Sequence, residues 1–297
     1  MFRHIRVRAV WLALCAVPGL MWVGSGSAVA TSSTSCAEVQ KFSSASFPGV
    51  PRINNRYQPW VPGMQVVLDG FVTGDDGLRH PHRIETTVTN FTKVINGVRT
   101  LVVFDRDIQD GVLQESEVFF QAQAADGAVW NVGEYPEEYE GGVLAGAPST
   151  WITGLASAKG GIGMLAHPSL GSPAYAQGIA TSVGFFDCAA VFATRQHTCV
   201  PVRCYDNVLV TDEWAPRDLA GGHQRKFYAP GVGTIRVEAV GGVDPEWLQL
   251  TRAARVCGAA LTRILNLVRA QDARGYTVSP HVYGKTPPIQ ATLPRPC

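Results

Sequence analysis

The chain predicts a mainly β protein: an antiparallel meander closing as a barrel or a sandwich, followed by one C-terminal helix. Three observations predict it. Arg83 to Thr89 alternates strictly, with Ile84, Thr86 and Val88 on one side and Arg83, Glu85, Thr87 and Thr89 on the other. That period of two is the mark of a half-buried strand. Turn dipeptides recur at short spacing, namely Asn96-Gly97, Asp110-Gly111 and Asp126-Gly127, as a meander of hairpins requires. Near the end, Leu261, Ile264, Leu265 and Val268 fall at helical spacing, and Gly275 supplies a stop.

In chain order, residues 1–30 read as a cleavable export signal. Arg3, Arg6 and Arg8 make a positive start, Val10 to Val23 is an apolar run, and Ala28-Val29-Ala30 is a small-x-small cleavage site. The run is shorter than the ~20 residues a membrane-spanning helix needs, and no second run of that length follows, so no transmembrane segment is expected after cleavage. Residues 31–58 form an extended lead-in, Ser-rich and then punctuated by Pro48, Pro51, Asn54 and Asn55. Residues 59–250 hold the β domain, with strands expected at Met64 to Val72, Arg83 to Thr89, Val98 to Phe104, Glu115 to Gln123 and Val129 to Val132. Gly141 to Gly184, rich in Gly, Ala, Ser and Pro, reads as a long irregular crossover. Residues 251–297 hold the helix and a Pro-rich tail ending in cysteine.

Two stretches echo one another. Leu101 to Asp105 returns as Val208 to Asp212, and Phe119-Phe120 returns as Phe227-Tyr228. This raises the possibility of two similar β-units, although any two hairpins share such features.

Loss of the signal leaves 22 basic against 24 acidic side chains, a balance of −2, with no electrostatic footprint for nucleic acid. It also leaves six cysteines: Cys36, Cys188, Cys199, Cys204, Cys257 and Cys297. An even number in an exported chain reads as three disulfides, with fifteen pairings open, and places the protein in a secreted or periplasmic setting.

Tyr57-Gln58-Pro59-Trp60, Val102 to Asp105, Phe119 to Gln123, Val129 to Glu134 and Phe227 to Gly233 together resemble an uncharacterised family of exported bacterial proteins. In that family a Tyr-Tyr-Ala-Pro-Gly-Val-Gly run closes a β-rich domain. The resemblance covers Arg56 to Leu250 and implies an all-β domain in the envelope or outside the cell. It implies no activity.

Candidate chemistry is sparse. His80 and His82, at i and i+2 on a strand, face one side and form a candidate metal pair; the alternative is two exposed histidines at a turn, and Pro81 fits poorly within a paired strand. Glu134, Glu137, Glu138 and Glu140, interleaved with Tyr135 and Tyr139, read either as a solvated loop or as carboxylates for sugar chemistry or calcium. Trp60, Trp130, Trp151 and Trp214 are candidates for lining an apolar pocket, against the alternative of ordinary β-core packing. Gly161-Ile162-Gly163-Met164-Leu165-Ala166 matches a dinucleotide-binding string, but Pro168, Gly171 and Pro173 rule out the helix it needs, so no cofactor is expected. Three functions stay open: binding of an apolar or amphipathic small molecule or surface partner, a secreted hydrolase or lyase using carboxylates or a metal, and a structural or adhesive envelope component.

Overall fold

The computed structural model describes Cys36, residues 42–294, Pro296 and Cys297; the expected signal and residues 31–35 and 37–41 of the lead-in lie outside the described residues. Twelve strands follow one another: β1 (Met64–Thr73), β2 (Arg79–Ile95), β3 (Val98–Gln109), β4 (Val112–Gln123), β5 (Val129–Glu140), β6 (Lys159–Met164), β7 (Tyr175–Ala180), β8 (Phe185–Val200), β9 (Arg203–Trp214), β10 (His223–Ala229), β11 (Gly233–Val240) and β12 (Glu246–Arg255). Each pairs antiparallel with the next in the chain. β12 then pairs with β1, closing the meander into a barrel without edges. Short strands at Val143–Gly146 and Trp151–Ile152 pair with the end and the middle of β5, and Gln290–Ala291 pairs with β2.

The turn residues explain the tight hairpins. Asn96 and Gly97 have φ of 46° and 80°, and Asp110 and Gly111 have φ of 52° and 77°. Left-handed backbone at both central positions matches the twist of the flanking strands, and Asn-Gly and Asp-Gly adopt it most readily.

The segment read as an irregular crossover is a correction: it contains β6 and β7. Neither has the β-branched signature of a strand. β6 carries Gly160, Gly161 and Gly163, and at the first two neighbouring backbones come very close; Gly178 of β7 makes room for the Phe185 and Trp151 rings. A Cβ at Gly161 would lie 2.4 Å from the Ala176 carbonyl oxygen. The ladders offered by β5 and β8 override intrinsic propensity. The two glycines of the dinucleotide-like string are thus strand residues, not a phosphate loop. Pro81 is also accommodated within β2, opposite Phe71, and its carbonyl accepts the Asp110 N–H at 2.9 Å.

The helix α1 (Gly258–Val278) runs through Gly275 rather than ending there. A Cβ at Gly275 would lie 2.4 Å from the Tyr283 ring, so this glycine is a packing notch. Leu261, Leu265 and Val268 bury against Phe91, Val102, Phe104, Val118 and Phe120, on the outer face of β2 to β4. Beneath the helix, Lys93 Nζ pairs with Asp272 Oδ1 at 2.9 Å, and Tyr283 Oη donates to the same oxygen at 2.6 Å. The tail is stapled back by a Cys257–Cys297 disulfide; the others are Cys36–Cys188 and Cys199–Cys204.

The echoed stretches lie on β3 and β9 and on β4 and β10, six strands apart in each case. Their facing is opposite. Phe119 points inward and its echo Phe227, paired with Arg236, points outward.

Candidate functional site

Strand register fixes which side chains enter the barrel. On β3, β4 and β5 the pairs Leu101–Gln121, Val103–Phe119 and Asp105–Glu117 share one face with Asn131 and Glu134. Leu101, Val103, Phe119 and Val129 form one apolar cluster with Leu209 of β9 and Tyr228 of β10. Strands that distant in the barrel meet only across its interior, so this face points inward. The outer face of the same strands carries Val118, Phe120 and Ala122 under the helix.

The interior has three zones. At one end, Ile53 and Tyr57 of the lead-in and Trp60 just after it join Leu101, Phe119, Val129, Met164 and Leu209 in an apolar wall. Gly231 N–H donates to the Arg56 carbonyl at 2.8 Å and Tyr57 Oη to the Asn207 carbonyl at 3.1 Å, fixing the lead-in against β9 and the β10–β11 turn.

The middle zone is polar. Asp105, Glu117, Gln121, Asn131 and Glu134 are at most 6% exposed. Opposite them, Glu213 accepts from Thr211 Oγ1 at 2.8 Å and Tyr228 Oη at 3.0 Å and pairs with Lys226 Nζ at 2.7 Å. That half of the zone is satisfied: burial opposes the Glu213 charge, but Lys226 and Thr211 outweigh it and hold the carboxyl below its usual range. The other half is not satisfied. Among the described residues, Asp105 Oδ1, Glu117 Oε1, Gln121 Nε2 and both amide atoms of Asn131 have no hydrogen-bond partner. Burial pushes the Asp105 carboxyl up to about 6, against the hydrogen bond from Thr86 and the charge of Lys226. Burial, then the like charges of Glu134, Glu115 and Asp105, push Glu117 well above the carboxylate range.

At the other end stand the candidate metal histidines. Both project inward, opposite Gly70 and Val72. His82 lies between Asp107, 2.8 Å from Nε2, and Glu246, 3.0 Å from Nδ1. Burial disfavours its charge, but the two carboxylates outweigh burial and raise its pKa to about 9, so it is an imidazolium at neutral pH. His80 sits between Asp110 and Asp76, at 2.9 and 3.2 Å. Each imidazole thus engages carboxylates through both nitrogens. Among the described residues, only His197, Cys199 and Cys204 bring three metal-ligating atoms within 4.8 Å of one another, and those cysteines are disulfide-bonded.

The four tryptophans are not brought together. Trp60 lies in the inner apolar wall and its Nε1 donates to Gln121 Oε1. Trp151 shares the inner face with Glu134, its register partner, and its Nε1 donates to Glu134 Oε1 at 2.5 Å. Trp130 packs outside, edge-on to Phe42 and Phe47. Trp214 stacks on His223 beside the Cys36–Cys188 disulfide. The glutamate run is not a loop but β5 itself, another correction. Glu134 faces inward, whereas Glu137 docks the helix, taking Arg274 Nη2 at 2.6 Å and Nε at 3.0 Å. Every residue of β5 from Val129 to Glu137 is buried, because the helix covers one face and the barrel the other.

Sequence reasoning missed Asp105, Glu117, Gln121 and Asn131. The only available signal was the alternation of Glu117, Phe119 and Gln121, which reads as a solvent face until α1 is known to cover the opposite one.

No family model matches the chain, and no curated protein matches it. Two solved structures are similar. One, from Bacteroides fragilis, is described as exported with a YmcC-like fold; it is 14% identical with a TM-score of 0.40, and the match covers 67% of this chain and 99% of that one. The other, described as a lipoprotein, is from Parabacteroides distasonis; it is 10% identical with a TM-score of 0.32 and the same coverage.

Proposed function

We propose that this chain is an exported, disulfide-bonded β-barrel domain that binds an amphipathic small molecule in its interior. The observation that carries this reading is the adjacency of an apolar wall, centred on Phe119, and buried polar atoms without partners on the next rungs of the same strands. An unsatisfied buried polar group costs roughly 1–3 kcal/mol, and folded proteins keep few of them. Several on one inner surface are explained most simply by a ligand that supplies the missing partners. Trp60 belongs to that surface, with its ring in the wall and its N–H on Gln121. Export is supported by three disulfides, which persist in oxidising compartments.

Native mass spectrometry of the disulfide-intact protein, with solvent extraction and displacement of N-phenyl-1-naphthylamine, tests it. The expected result is a co-purifying molecule and probe fluorescence that the extract displaces. A protein with no bound molecule and no probe response would favour a structural or adhesive envelope role.

A second reading has one specific support. Glu117, held towards its protonated form beside Glu134, is the arrangement by which a carboxyl pair does general acid–base work in hydrolases and lyases. Turnover of a chromogenic glycoside that is lost in Glu117→Gln would carry that reading.

A further inference from the structure

We infer that the molecule bound inside the barrel carries a protonated amine, seated between Asp105 Oδ1 and Glu117 Oε1 with its apolar part along the Phe119 wall. This rests on the interior-binding reading and names the head group.

Among the described residues the interior cations are already engaged: Lys226 pairs with Glu213, and His82 lies between Asp107 and Glu246. Asp105 and Glu117 are register partners on adjacent strands, so their carboxyls project side by side. Both are nine-tenths buried or more, and each has an oxygen without a hydrogen-bond partner among the described residues. What those two oxygens lack is donors, and a positive charge would relieve the mutual repulsion of the carboxyls. An ammonium group supplies three N–H donors and one charge.

A second, non-acidic observation points the same way. Gln121 Nε2 and both amide atoms of Asn131 are buried and unpartnered on the same inner face, one rung beyond Phe119, across β4 and β5. They suit a hydrogen-bonding group, such as a hydroxyl, on the far side of the Phe119 wall from the amine, so that one elongated amphipathic molecule meets both polar patches. A bare metal ion fits less well. Among the described residues, no three acidic or histidine side chains of the interior bring a ligand atom each within 4.8 Å of one another, so a ligand with some length spans them better.

The test compares dodecylamine, dodecanol and dodecanoate, which share one tail, by calorimetric titration against the full mature protein with disulfides intact. Dodecylamine is expected to bind at least tenfold more tightly than dodecanol, and dodecanoate more weakly than either. Glu117→Gln and Asp105→Asn should each shrink the amine-to-alcohol ratio below threefold, with melting curves confirming that both variants fold. Equal binding of amine and alcohol would overturn the head-group assignment while leaving the interior-binding reading standing. No binding of any of the three would remove both. Calcium raising the melting temperature more than dodecylamine does would overturn the assignment in favour of a metal.

Discussion

Asp105 and Glu117 are stability liabilities that the fold retains, and that makes Asp105 measurable at the residue scale. The folded Asp105 carboxyl, at about 6 against an ordinary 3.8, holds its proton more tightly than in the unfolded chain. Its contribution therefore falls as pH rises from about 4 to about 6, then levels off. Asp105→Asn should stabilise the ligand-free protein by about 3 kcal/mol at pH 7 and remove that part of the slope. Urea melts at pH 4 and pH 7 would check this; identical slopes in variant and wild type would refute it. His82 is raised from 6.5 to about 9 by Asp107 and Glu246, against the effect of its burial. Its stabilisation is complete below about pH 6.5 and is lost as pH rises through 9. His82→Asn should be less stable than wild type by about 3 kcal/mol at pH 6 in urea melts, and the gap should narrow from about pH 6.5 to about pH 9 and then level off.

At the scale of the element, α1 is decisive because it gives β2 to β5 a second buried face. Its docking relies on a notch and an ion pair. Gly275→Ala raises helix propensity by about 1 kcal/mol in isolation, yet here the added methyl meets the Tyr283 ring. A net loss of about 1–3 kcal/mol is expected by denaturant titration; a gain would show that Tyr283 yields freely. Lys93→Met leaves Asp272 buried with Tyr283 Oη still donating to it, and should cost about 3–5 kcal/mol. Adding Asp272→Leu should recover much of that loss. The hairpins β2–β3 and β3–β4 were legible in the sequence because Asn96-Gly97 and Asp110-Gly111 encode their turns locally. β6 and β7 were not legible, because their glycines answer to neighbours distant in the chain.

For the whole molecule, closure is a long-range event. β12 must find β1, and the three disulfides cross-link loops of very different length. Their spacings are 152 residues for Cys36–Cys188, 40 for Cys257–Cys297 and 5 for Cys199–Cys204. In the chain-entropy account a loop of 152 contributes about 5 kcal/mol and a loop of 5 about 2. Replacing Cys36 and Cys188 together by alanine should therefore lower stability more than replacing Cys199 and Cys204. The reverse order in paired thermal melts would count against the entropic account.

Local chemistry determined a good deal without help: the turn dipeptides, the alternation of β2, the apolar stripe of α1 and the even set of six cysteines all act through near neighbours or plain counting. Tertiary structure alone decided which face of each strand is inside. Val118, Phe120 and Ala122 look like core and do pack, but beneath the helix outside the barrel; Glu117 and Gln121 look like surface and line the interior. Alternation says that two faces differ and not which one a distant element will cover, so the polar interior appears only when the twelve strands close.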